Sequence, residues 1–355
     1  MPVQKITIDQ FAAMSRNNFL LLDVRSPAEY THAHIPGAFN LPLFSNEERK
    51  VVGTAYKQES RENAIKIGLT YFGPKMLATV EDVEKLIAAD KFLKTINKHT
   101  SVPIVLHCWR GGMRSAAIAW LLDLYGYKVH TIIGGYKAYR NLVINQFEFN
   151  YNFKVIGGYT GSGKTDVLNI LSRQGETVID LEDIAKHKGS AFGAVAGVLQ
   201  PSTEMFENLL AEELMKYKEK TIWVEDESQR IGDINMPIKL YNTKQQSPVY
   251  FLDIPFQERL DYIVKGYGKI TKDKLVNSII RIKKRLGGME TKTAINCLLE
   301  DDIKGCFAIL LKYYDKHYQK GLYSRDNINS LLKIIPCNTV DAKENTIAIL
   351  DSQKL

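Results

Sequence analysis

The 355-residue chain is long enough for two domains, each with its own core, and its composition, 45% hydrophobic and 25% charged, is that of a globular protein. No apolar run approaches the ~20 residues of a membrane span, and polar and acidic residues break up the opening MPVQKITIDQFAAMSRNNF, so neither a membrane anchor nor a secretion signal is expected. A net charge of +7 admits a polyanionic partner without requiring one, and four cysteines with no CxxC or metal-ligand spacing point to a reduced, cytoplasmic protein with free thiols.

In chain order, FLLLDV (19–24) reads as a buried strand, and IPGAFNLPL (35–43) as a turn leading into an extended piece. NEERKVVGTAYKQESRENAIKIG (46–68) has helical spacing, and VEDVEKLIAADKFLKTI (80–96) is a clearer amphipathic helix. VPIVLH (102–107) suits a central strand, RSAAIAWLLDLYG (114–126) a helix, and KVHTII (128–133) a strand closed by two glycines. Strands alternating with helices predict a mostly parallel sheet with helices on both faces over residues 1–145. NQFEFNYNF (145–153) is a polar-aromatic stretch, and residues 146–152 form the expected connector.

The alternation then resumes. KVIGGYTGSGKT predicts strand, glycine loop and helix; TVIDLED (177–183), TIWVEDES (221–228) and SPVYFLDI (247–254) are strand-like. A mostly helical, basic insertion covers about 257–324, and KIIPCNTVDAKENTIAIL (333–350) gives a last strand and helix. Residues 153–355 therefore read as a second α/β domain.

Gly158-Tyr-Thr-Gly-Ser-Gly-Lys-Thr165 fits the phosphate-loop pattern GxxxxGK[ST] between a strand and a helix, where the mechanism needs it. Gly158, Gly161, Ser162 and Gly163 would let backbone N–H groups converge on phosphate oxygens at a helix N-terminus. Lys164 would neutralise the outer phosphate, and Thr165 is placed for a magnesium ion. Asp180, Glu225, Asp226 and Glu227, at strand ends, are candidates to support that ion; plain solvation is the alternative for each.

HCWRGGMRS (107–115) sets one thiol just past a central strand, before a helix. Cys108 would lie in a ring of amides that includes Gly111 and Gly112, with Arg110 and Arg114 beside it, all favouring the thiolate or an anionic persulfide or perselenide. A small buried core cysteine is the alternative. His107 reads as a hydrogen-bonded core histidine.

LLDVRSPAEYTHAHIPGAFNLPL (21–43), with Asp23, Arg25, Glu29 and His34, resembles the opening of a rhodanese domain; HCWRGGMRS resembles its active loop and YGYKVHTIIGGYKAYR (125–140) its closing segment. The five residues between Cys108 and Arg114 depart from the commonest sulfurtransferase spacing. A rhodanese-like domain ahead of a phosphate-loop domain resembles the tRNA 2-selenouridine synthases. NEERKVVGTAYK (46–57), VIDLEDIAKHKGSAFG (178–193), WVEDESQRIG (223–232) and RLGG (285–288) add to the likeness. The resemblance implies conversion of a wobble 2-thiouridine in tRNA to 2-selenouridine through an S-geranyl intermediate, with geranyl diphosphate and selenophosphate as substrates. It implies that Cys108 carries selenium as a perselenide or assists its delivery. No covalent cofactor is expected.

KGYGKITKDKLVNSIIRIKKRLGG (265–288) is the candidate tRNA surface: a helix from Lys272 would bury Val276, Ile279, Ile282 and Leu286 and present Arg281, Lys284 and Arg285. A solvated basic face, or Arg285 as a lid over the diphosphate, are the alternatives. The tyrosines of KYYDKHYQKGLY (312–323) read as half-buried packing more readily than as base-stacking groups. Two other functions use the same loops: an ATP-dependent kinase or ATPase fused to a persulfide-carrying sulfurtransferase, and a non-enzymatic nucleotide- or RNA-binding regulator.

Overall fold

The computed structural model describes residues 3–91, 93, 102–188, 198–267 and 271–354. It divides into two compact units, Met1–Gln146 and Phe147–Leu355. The first contains β1 (Gln4–Ile6), α1 (Ile8–Ala12), β2 (Leu20–Asp23), α2 (Pro27–His32), β3 (Phe39–Asn40), α3 (Asn46–Gln58), α4 (Arg61–Phe72) and α5 (Met76–Ala89). It continues through β4 (Pro103–His107), α6 (Met113–Tyr125), β5 (Lys128–Ile132) and α7 (Gly135–Gln146). Its five strands pair in the order β1-β5-β4-β2-β3, every pair parallel. Leu20, Leu22, Ile104 and Leu106 are sealed in its core with Ile118 and Leu122 of α6.

Parallel strands bring their C-terminal ends to one edge, where ligands of open α/β sheets bind. The register sets Asp23 opposite His107, so the DVR turn after β2 and the cysteine loop after β4 are neighbours. The helical stretch 46–68 is two helices, because Ser60 accepts the Asn63 N–H and starts α4 afresh. The amphipathic helix expected over 80–96 runs Met76–Ala89; residues 94–96 lie outside the described residues. The edge strand β1 and helix α7 have no counterpart in the sequence reading.

The second unit contains β6 (Asn152–Gly158), α8 (Lys164–Arg173), α9 (Leu181–Ala185), α10 (Thr203–Lys216), β7 (Thr221–Glu225), a small hairpin of β8 (Arg230–Ile231) and β9 (Ile234–Asn235), and α11 (Ile238–Gln245). Then come β10 (Val249–Asp253), α12 (Phe256–Tyr267), α13 (Lys272–Leu286), α14 (Gly288–Leu299), α15 (Ile303–Leu322), α16 (Ile328–Leu331), β11 (Leu332–Pro336) and α17 (Ala342–Asp351). The sheet order is β11-β10-β6-β7, again parallel throughout. Of the strand expected at 177–183, only Val178 bridges to Trp223, because Asp180 turns the chain into α9 by accepting the Asp183 N–H. The polar connector is tighter than its composition implies: Phe147 and Tyr151 are each only 4% exposed. Helices α12–α15 close an apolar core of their own around Ile263, Ile279, Leu298 and Phe307, separate from the sheet core around Ile156, Leu168 and Leu252. No described helix is long and apolar enough to cross a membrane.

Candidate functional site: a thiol loop and a phosphate loop

Cys108 is the first residue after β4 and is nearly sealed, at 4% exposure. Its Sγ accepts the Gly112 N–H at 3.3 Å and lies 3.3 Å from the Ser115 hydroxyl. Burial works to raise the thiol pKa. A hydrogen bond with the Ser115 hydroxyl and those from the amides of Ser115, Arg110 and Gly112 outweigh it, and the net shift is downward. The loop is clamped by the start of α7: the amides of Tyr136 and Lys137 donate to the carbonyls of Cys108 and Trp109, both at 2.9 Å. This clamp needs glycine. A Cβ on Gly135, whose φ is +56°, would fall 2.4 Å from the Cys108 carbonyl oxygen and 2.5 Å from the Gly111 nitrogen.

The arginines expected to favour the thiolate are placed otherwise. Arg114 donates to both oxygens of Glu29, at 2.7 and 3.4 Å, while Glu29 also accepts the Ser26 N–H and has Arg49 Nε 3.7 Å away. Arg110 is exposed, so its backbone amide and not its charge acts on Sγ. Arg25 is buried, bonded to Asp23 and to the Ala33 carbonyl, and stacked 3.8 Å over Tyr136. His107 is the core histidine expected: fully buried, its Nδ1 3.4 Å from the Cys108 carbonyl oxygen and its Nε2 3.8 Å from Asp23, with a pKa lowered chiefly by burial. Ser115 was not singled out from the sequence; its place in the first turn of α6 was the available signal.

In the second unit β6 ends at Gly158, and Lys164 opens α8. Lys164 Nζ donates to the Gly158 carbonyl at 3.1 Å and Thr165 Oγ1 to Glu182 at 3.2 Å. Ser162 is buried, and its hydroxyl has no partner among the described residues. Gly161, at φ +84°, sits where a Cβ would meet Arg259 O at 2.9 Å and Ile263 Cδ1 at 2.7 Å, so α12 packs directly on the loop.

The four carboxylates divide. Glu225, 1% exposed, accepts the Glu182 N–H at 2.7 Å and shares a side-chain hydrogen bond with Asp180. Burial, then the charge of Asp180, pushes its pKa well up. Burial likewise raises Asp180 and Glu182, and burial with the neighbouring Glu182 charge pushes Glu227 up to about 8. Asp226 stands apart: it is bonded to Arg325 (2.6 Å), Lys244 (3.3 Å) and the Tyr318 hydroxyl (2.6 Å), and despite burial these cations lower its pKa. It is a structural anion in a buried charge network and not a free ligand. Glu182, which sequence reading passed over inside VIDLED, is the carboxylate in contact with Thr165.

The basic helix forms over Lys272–Leu286, burying Leu275, Ser278, Ile279 and Leu286; Val276 and Ile282 are only half-buried. Arg281, Lys284 and Arg285 are exposed, and Arg285 bonds to Tyr313 of α15. The arginine that touches the phosphate loop is Arg259, not Arg285: its Nη1 donates to the Thr160 carbonyl at 3.1 Å. Residues 189–193 and 268–270 of the quoted segments lie outside the described residues.

The chain thus joins a rhodanese-type unit, with its thiol in a ring of amides, to a phosphate-loop unit with a helical segment. Comparison with known proteins agrees for both. Residues 7–142 match the rhodanese-like domain family and residues 151–332, half of the chain, match the tRNA 2-selenouridine synthase AAA domain. The tRNA 2-selenouridine synthase of Bdellovibrio bacteriovorus is 35% identical over 320 residues, 88% of this chain and 77% of that protein. Those of Nitrosomonas eutropha (37%, covering 74% and 66%) and Pseudomonas putida (35%, covering 76% and 76%) are similar. The chain belongs to the tRNA 2-selenouridine synthase family.

Proposed function

We propose that this protein is a cytoplasmic tRNA-modifying selenotransferase that converts wobble 2-thiouridine to 2-selenouridine in two steps. In the first, the thiocarbonyl sulfur attacks C1 of geranyl diphosphate. The C1–oxygen bond breaks, diphosphate departs, and the base loses its N3 proton. In the second, the selenium of selenophosphate adds to C2, the C2–sulfur bond breaks, and geranylthiol leaves with a proton; water then removes the phosphoryl group from selenium. Alkylation comes first because a sulfur doubly bonded to a pyrimidine carbon leaves poorly.

The observation that carries this reading is the pairing, in one chain of this family, of an amide-ringed thiol with a phosphate loop. Lys164, with the Gly161–Gly163 backbone and the α8 N-terminus, would stabilise charge developing on the departing diphosphate. Cys108 and its amides would serve selenium delivery. The Thr165 hydroxyl beside Glu182 fits a magnesium ion. Among the described residues no three acidic, histidine or cysteine side chains are gathered to hold an ion alone, so water and phosphate oxygens would complete its shell. Such an ion would supply charge neutralisation to the diphosphate. Arg281, Lys284 and Arg285 would contact tRNA phosphates.

The test is consumption: purified protein with thiolated tRNA should release diphosphate from geranyl diphosphate and leave ATP intact. tRNA-stimulated ATP hydrolysis without prenyl turnover would instead establish the kinase or ATPase fused to a sulfurtransferase.

A further inference from the structure

The phosphate loop does not hold its shape alone. Two bonds reach its backbone from the helical segment, one at each end of its first half. The Tyr318 hydroxyl donates to Asp226 at 2.6 Å and accepts the Gly158 N–H at 3.2 Å. With its single proton committed to a carboxylate that Arg325 and Lys244 hold in place, the hydroxyl presents only a lone pair to the loop. At the other end Arg259, 3% exposed, forks onto Asp315 at 2.9 and 2.8 Å and spends the same Nη1 on the Thr160 carbonyl. The carbonyl of residue 160 and the N–H of Gly161 share one trans peptide plane and point opposite ways, and no cis bond occurs here. Anchoring that carbonyl on Arg259 therefore turns the Gly161 N–H away from α12. Asp315, Tyr318 and Gln319 lie at i, i+3 and i+4 on one face of α15, and Gln319 donates to the Tyr159 hydroxyl at 2.5 Å.

We propose that Arg259, Asp315 and Tyr318 are positioning residues through which α12 and α15 set the shape of the phosphate loop, and hence its affinity for a diphosphate group. The proposal rests on the reading of Gly158–Thr165 as a diphosphate cradle. Their polar groups are bonded to the loop backbone and to other side chains; they fix which amides are spent inside the protein and which remain for a ligand. Tyr318→Phe keeps the ring packed against Phe251 and Tyr159 and removes only the hydroxyl, while Asp315→Asn removes the charge that holds Arg259.

The experiment titrates full-length protein with inorganic pyrophosphate by calorimetry, with Lys164→Ala as the reference. Tyr318→Phe and Asp315→Asn should each weaken binding by about five-fold, the cost of one net hydrogen bond. With geranyl diphosphate, KM should rise while kcat holds. In protein labelled with 15N-glycine, Tyr318→Phe should move the Gly158 amide signal and leave those of Gly111 and Gly134 in place. Wild-type affinity and an unmoved Gly158 signal in Tyr318→Phe, with binding lost in Lys164→Ala, would overturn the positioning role and leave the cradle standing. Undiminished binding in Lys164→Ala would overturn both.

Discussion

On the proposed reading the two loops would solve one problem, holding an anion after a parallel strand and before a helix, with different materials. Around Cys108 the stabilising groups are short-range and mostly backbone: the Gly112 amide and the Ser115 hydroxyl at 3.3 Å, in a nest fixed by α7. The nearby guanidiniums are already paired, Arg114 with Glu29 and Arg25 with Asp23. Around Gly158–Thr165 the charge of Lys164, bonded to the Gly158 carbonyl, acts on Glu182 and Glu227, carboxylates that burial has pushed toward the neutral form, and the loop is braced by side chains from another core. A single chalcogen atom can be held by a few amides aimed at one point. The proposed diphosphate would carry several charges over a larger volume, drawing on Lys164 and a cation, and the buried carboxylates would give up protons as that cation binds.

That contrast can be broken at its largest effect first. Cys108→Ser should abolish selenium incorporation while S-geranyl-2-thiouridine still forms, as read by mass spectrometry of digested nucleosides; equal loss of both products would merge the two roles. Lys164→Ala should lower kcat/KM for geranyl diphosphate by about 100-fold, and unchanged turnover would remove the loop from the alkylation step.

Asp226→Ala leaves Lys244 and Arg325 buried without their shared carboxylate and should cost roughly 3–5 kcal/mol of stability by urea unfolding. A loss under about 1 kcal/mol would mean the network is hydrated and not sealed. The smallest effect is in pH. The folded value for Glu227, about 8, lies above the ordinary 4.5, so the folded state binds the extra proton between them. Stability from this group is complete at low pH and lost as pH rises through about 8. Melting temperature should fall by about 5–10 °C between pH 6 and 9, the equivalent of roughly 2–3 kcal/mol, and Glu227→Gln should flatten that fall.

The strands that carry the loops were legible because β-branched runs such as VPIVLH and KVIGG end at glycine-rich turns, and a local pattern suffices there. What escaped depends on distant partners. β1 is three residues long and exists as a strand by pairing with β5. TVIDLED reads as a strand until the Asp180 cap is seen to start a helix. Arg259 and Tyr318 lie about 100 and 160 positions from the loop residues they touch, and no spacing rule reaches that far. Tyr318 was visible only as one tyrosine among several on an amphipathic helix. The sequence sets Arg114 beside Cys108, but its partner Glu29, 85 positions earlier, meets it only in space.

The most direct measurement is nucleoside mass spectrometry on thiolated tRNA incubated with the protein, geranyl diphosphate and selenophosphate, each omitted in turn. Omitting selenophosphate should accumulate S-geranyl-2-thiouridine, omitting geranyl diphosphate should leave 2-thiouridine untouched, and the full mixture should yield 2-selenouridine. Appearance of 2-selenouridine without geranyl diphosphate would contradict the division of labour between the two loops.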